Sequence, residues 1–144
     1  MPDIPLQALH TASTTFLCGL IWCIQLVHYP SFRFVSPDRF VEFERFHTQA
    51  ITWIVGPAML LELLTAVVLL GSLGPGWGAL NIVSVGAIWV STALLSVPCH
   101  ARLAEGFDAD CIERLVWTNW PRTVLWSLRA LAWLAAAAAA ALGS

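Results

Sequence analysis

An all-α, polytopic integral membrane four-helix bundle is the fold this sequence predicts, and three observations carry the prediction. Of 144 residues, 58% are hydrophobic and 11% charged, whereas an ordinary soluble domain is roughly 45–50% apolar and about 25% charged. Four apolar stretches are each long enough for the 20 or so helical residues that cross a bilayer, giving spans near 9–28, 48–71, 78–98 and 119–142. Nearly all the charge falls in two of the three links between them. The chain thus reads as a single four-span domain over 1–144, with no room for a separate soluble catalytic domain.

The first span is preceded by Asp3 and by no arginine, so it lacks the basic flank of a cleaved leader and reads as a retained helix. Ser36-Pro37-Asp38 then signals a helix start, with serine at the cap, proline at the first helical position and an acid in the first turn. From there Phe40, Phe43 and His47 share one face, so the second helix gains an amphipathic extension before it enters the bilayer. Gly71-Ser72-Leu73-Gly74-Pro75-Gly76-Trp77-Gly78 is a run of turn residues with an interfacial tryptophan, which predicts a tight hairpin between spans two and three. Asp108 or Asp110 can cap a helix through Ile112, Leu115 and Asn119 that continues into the fourth span, past Pro121. Pro57 and Pro121 lie within long helices and predict kinks.

Orientation follows from arginine placement, because short positively charged loops stay in the cytoplasm. Arg33, Arg39 and Arg45 lie in the first link, and Arg102, Arg114 and Arg122 surround the third. Both termini are therefore expected outside and both charged loops inside, in a bacterial inner membrane. A net charge of −2 leaves no concentrated basic face for nucleic acid, and none is expected as a partner. All seven basic residues are arginine, which excludes lysine Schiff-base chemistry. Cys18, Cys23, Cys99 and Cys111 form no C-x-x-C pair and read as small apolar fillers.

Threading four spans brings His28, His47 and His100, from three separate helices, to one depth at the charged end. Glu44 and His47 have the Glu-x-x-His spacing that sets a carboxylate and an imidazole on one helix face. Imidazoles from several helices with one carboxylate suit a transition metal such as Fe, Cu or Zn. Each histidine alone is also explained as an interfacial residue bonded to headgroups and water. A b-type haem needs two facing axial histidines and fits less well than a small ion. His10, at the opposite end, reads as a simple interfacial residue. Glu62 and Arg129 fall inside spans at similar depth, and either lock two helices as an ion pair or leave Glu62 as a relay for protons or cations. Trp22, Trp53, Trp89, Trp126 and Trp133 lie deep enough to line a pocket for a flat apolar molecule or simply to pack.

Val97-Pro98-Cys99-His100-Ala101-Arg102-Leu103, then Trp117-Thr118-Asn119-Trp120-Pro121-Arg122-Thr123, with His28-Tyr29-Pro30, resemble the small four-helix membrane family that includes anthrone oxygenases and many uncharacterised bacterial proteins. In that pattern a proline and a polar residue end the third span and an asparagine-x-x-arginine enters the fourth. Pro30 matches the proline that ends the first span. His100 departs from it, standing where asparagine is expected. The resemblance implies oxygen or redox chemistry on a hydrophobic aromatic, with Asn119 and Arg122 as site residues.

The expected function is thus a metal-dependent oxidoreductase or oxygenase acting on a hydrophobic small molecule at the cytoplasmic face. His28, His47 and His100 hold the metal, Glu44 is a further ligand or base, Asn119 supports the site, and Arg122 steadies an anionic intermediate. Two other readings stand beside it. One is an accessory subunit, in a homo-oligomer or a larger membrane complex, and the other is an ion or proton carrier built on Glu62.

Overall fold

The structure, a computed structural model, describes residues 4–143. Its four helices are α1 (Ile4–Phe34), α2 (Pro37–Leu69), α3 (Pro75–Leu103) and α4 (Ala109–Leu142), all long and apolar enough to cross a membrane. There is no strand among the described residues. The chain is an all-α four-helix bundle and an integral membrane protein. α1 packs along both α2 and α4, and α3 closes the other side against the same two helices. Large apolar side chains therefore face outward as well as inward, as Val83, Leu131 and Trp53 do. Trp53, a candidate for the pocket, is 81% exposed on that outer surface.

Each helix outruns its apolar stretch. α1 begins at Ile4 and continues to Phe34, while α3 continues to Leu103. The extra turns stay helical because each buries one face: Phe32, Phe40, Leu103, Ile112 and Leu115 are fully buried beneath the polar links. The expected extensions of the second and fourth helices are present. Their starts differ in chemistry, however. Ser36 has the extended backbone of a cap, yet its side chain caps nothing, and a tight 3-10 turn over Pro37–Arg39 leads into α2 instead. Asp108 does cap α4, its carboxylate accepting from the Cys111 N–H at 2.9 Å and from Arg102 Nε at 2.6 Å.

The hairpin between α2 and α3 turns through Gly74, whose φ of 77° suits a residue without a Cβ. Close approach there also needs Gly78, because a Cβ at that position would sit 2.8 Å from the Leu70 carbonyl oxygen.

Two wide turns were not legible as such in the sequence. In α1 the Tyr29 N–H reaches the Ile24 carbonyl, and in α3 the Val97 N–H reaches the Thr92 carbonyl, so Ile24–His28 and Thr92–Ser96 are π-helical. Proline follows each turn by two residues, at Pro30 and Pro98. A proline has no N–H to offer the carbonyl four residues back and its ring clashes with that group. Widening the preceding turn by one residue relieves both problems. Consequently neither proline ends its helix: α1 continues from Pro30 to Phe34 and α3 from Pro98 to Leu103.

Candidate functional site

The wide turn of α1 aims His28 and Tyr29 inward, and the corresponding turn of α3 sets His100 opposite them. Glu44 and His47, one helical turn apart on α2, are both buried on the inner face. All four expected residues of this group come together. His28 Nε2 lies 2.6 Å from His47 Nδ1, and the His47 and His100 rings are 5.3 Å apart. His100 Nδ1 donates to Glu44 Oε1 at 2.6 Å, which leaves Nε2 to accept from the Tyr29 hydroxyl at 3.2 Å. Phe32 seals the group from below, with its ring 5.1 Å from His47 and 5.4 Å from His28.

As they stand, these side chains bond to one another. Two nitrogens on one ion at bonds of about 2.0–2.1 Å sit more than 3 Å apart, so the 2.6 Å contact of His28 with His47 is a hydrogen bond and no shared ligation point lies between them. Among the described residues no group of three or more His, Cys, Asp or Glu side chains is arranged to hold a metal ion. Two buried atoms of the cluster, Glu44 Oε2 and His47 Nε2, have no hydrogen-bond partner among the described residues.

Asn119 and Arg122, both buried on α4, form a second group. Asn119 Nδ2 donates to Gln25 Oε1 at 2.8 Å, its own Oδ1 accepts from Arg122 Nη2, and Arg122 Nη1 donates to Thr92 Oγ1 at 3.2 Å. Gln25 in turn donates to the Val116 carbonyl at 3.1 Å and accepts from Thr123. α1, α3 and α4 are thereby tied at the level of the wide turns.

Between the two groups lies a cavity of about 540 Å³, within the range of small-molecule sites. Its inner wall is apolar, built from residues such as Leu17, Ile21, Met59, Trp89 and Trp126. Tyr29, His100, Thr92, Ser96 and Arg122 bring polar groups to it. Thr52 on α2, Val97 and Ala101 on α3 and Ala104 just past its end line it and are exposed, so the cavity opens sideways between α2 and α3. Of the five deep tryptophans, Trp89 and Trp126 line it. Trp22 donates to Ser127 at 3.0 Å, and Trp133 packs on His10 with ring centres 4.8 Å apart.

At the hairpin end the structure corrects the reading of His10. Its ring is fully buried, 2.7 Å from Thr65 Oγ1 and 3.2 Å from Asn81 Oδ1, within a network around the Glu62–Arg129 ion pair. Arg129 Nη2 donates to Glu62 Oε1 at 3.0 Å, and Nη1 donates to Asn81 and Ser84. Thr14 and Trp126 also donate to the Glu62 carboxylate. Glu62 is thus held by three donors from α1 and α4.

Sequence reasoning placed His28, His47, His100, Glu44, Asn119 and Arg122, and set Tyr29 beside the histidines without giving it a role; it did not single out Thr92 or Ser96 as site residues. The Tyr29-Pro30 and Val97-Pro98 pairs were a partial signal, since a wide turn precedes each, whereas Pro57 and Pro121 sit in regular α-helix without one. Comparison with family models, with curated proteins and with solved structures finds no match to this chain.

Proposed function

We propose that the chain is a membrane-embedded oxidoreductase that takes a hydrophobic, enolisable molecule from the bilayer through the opening between α2 and α3. The observation that carries this reading is the Tyr29–His100–Glu44 chain ending at the wall of a largely apolar cavity. A proton lost by the substrate to the Tyr29 oxygen is passed on as the tyrosyl proton moves to His100 Nε2. The imidazolium so formed faces the Glu44 carboxylate, which stabilises it and fixes the ring. Dioxygen, small and soluble in hydrocarbon, is the acceptor for the electrons of the resulting carbanion.

Anthrone is the probe, being a tricyclic ketone with an activated methylene; with one dioxygen it gives anthraquinone and one water. Protein in detergent is expected to consume dioxygen and form the quinone chromophore above a protein-free control. Replacing Glu44→Gln or His100→Gln should slow this by about a hundredfold or more, the usual worth of positioned acid–base groups. No oxidation above the control would overturn the reading in favour of an accessory subunit.

A second reading keeps the metal. The unpartnered Glu44 Oε2 and His47 Nε2, buried beside His28 and His100, favour it, since a small rotation of the rings would present free donors to an Fe, Cu or Zn ion. Elemental analysis of untagged protein tests it: near-stoichiometric metal lost on His47→Ala supports it, and metal content that His47→Ala leaves unchanged removes it. Both readings place the charged loops in the cytoplasm of a bacterial cell, supported by the arginine bias of those links.

A further inference from the structure

α4 carries two buried arginines seven residues apart on one face, and the bundle treats them differently. Arg129 is paired with Glu62. Arg122 is 5% exposed, yet it forms no ion pair among the described residues. The oxygens around it are neutral, those of Asn119 and Thr92 and the Tyr29 hydroxyl, and its Nε, like that of Arg129, has no partner among the described residues. Ser96 Oγ, 3% exposed on the facing wide turn of α3, is likewise without a partner. Both side chains line the cavity. The buried carboxylate of this end, Glu44, is bonded to His100, and no described carboxylate lies within 4 Å of the guanidinium.

A guanidinium is always charged, and a buried charge is tolerated when it is paired. The protein supplies such a partner two turns further along the same helix and supplies none here. We infer that the ligand itself brings the counter-charge: the cavity selects a lipophilic anion, with its carboxylate or phenolate oxygen on Arg122 and Ser96 and its apolar body against Ile21, Met59 and Trp126. Arg122 and Ser96 lie on the turns of α4 and α3 nearer the charged links, and Ile21, Met59 and Trp126 lie nearer the hairpin, so the lining offers a place for a head and another for a body. This rests on the reading of the cavity as the substrate site and names the substrate class for it.

The test compares 2-anthracenecarboxylate with its neutral carboxamide, which has nearly the same shape. Binding is read by quenching of tryptophan emission in a zwitterionic detergent at neutral pH, with protein-free micelles subtracted. The intact protein should bind the carboxylate about tenfold to a hundredfold more tightly than the amide, the worth of a charge-assisted hydrogen bond in a buried site. Arg122→Gln should abolish that preference while still binding the amide, and Arg122→Lys should restore part of it. Equal affinity of the intact protein for the two probes, or a preference that survives Arg122→Gln, would overturn the inference. The first of these comparisons needs no variant, so a failure of Arg122→Gln to fold does not affect it. Binding is measured without turnover, which separates the two readings: anion preference without any oxidation removes the oxidoreductase and keeps this inference, and oxidation of anthrone without anion preference does the reverse.

Discussion

At the scale of single residues, the clearest assignment is the Glu62–Arg129 pair. Removing one member of a buried ion pair leaves an uncompensated charge and costs about 3–5 kcal/mol, whereas replacing both by apolar residues is often close to neutral. Glu62→Gln and Arg129→Met should each lower the thermal unfolding midpoint in detergent steeply, and the Glu62→Leu/Arg129→Met double variant should recover most of the loss. A double variant no more stable than the singles would show that the orphaned His10 and Asn81 hold the helices together. Asp108 offers a pH-dependent case. The Cys111 N–H, with Arg102 beside it, holds its carboxyl below the ordinary value of 3.8. A depressed folded value means that the unfolded chain binds more protons in that window, so the contribution is full above pH 3.8 and lost as pH falls through the folded value. Asp108→Ala should therefore melt earlier than the parent at pH 7, and the gap should close in strong acid. Counting residues from the charged end was enough to bring His28, His47, His100 and Glu44 together. It failed for His10, because interfacial position alone does not reveal that Thr65 and Asn81 face it from two other helices.

At the scale of elements, four spans and the glycine hairpin were legible because hydropathy and turn residues report them directly. The wide turns were not, since they leave composition unchanged and a proline within a helix does not by itself announce one, as Pro57 and Pro121 show. Their function follows from geometry. One residue more per turn shifts everything beyond it by about 100° around the helix axis, and this shift is what turns Tyr29 toward the cavity. Deleting Val27, which points outward at 67% exposure, should return the segment to α-helical spacing. Helix content by circular dichroism is expected to stay near that of the parent while anthrone oxidation falls to background. Retained oxidation would mean that the site tolerates either register. The same reasoning explains why no role for Tyr29 is legible in the sequence: on a regular helix its position relative to His100 would be different.

At the scale of the whole molecule, the placement of charge predicts which side of the membrane each end occupies. In a version lacking the four native cysteines, Ser72→Cys should react with a membrane-impermeant thiol reagent on intact cells, and Ser36→Cys only after the membrane is opened. The reverse pattern would invert the topology and put the charged links outside. The two ends also differ in how they are held. Near the hairpin, α1, α2, α3 and α4 are joined through His10, Glu62, Asn81 and Arg129. The cavity mouth lies further along α2 and α3, beyond this fastening. On its other side the mouth is closed off by the Glu44–His100 bond, so α2 and α3 are clasped at both ends of the opening, like a buttonhole stitched at each corner. A guest thicker than the resting gap would be admitted by bowing the stretch between the two stitches, and the backbone amides bordering the mouth would exchange with solvent deuterium sooner than those beside Asn81.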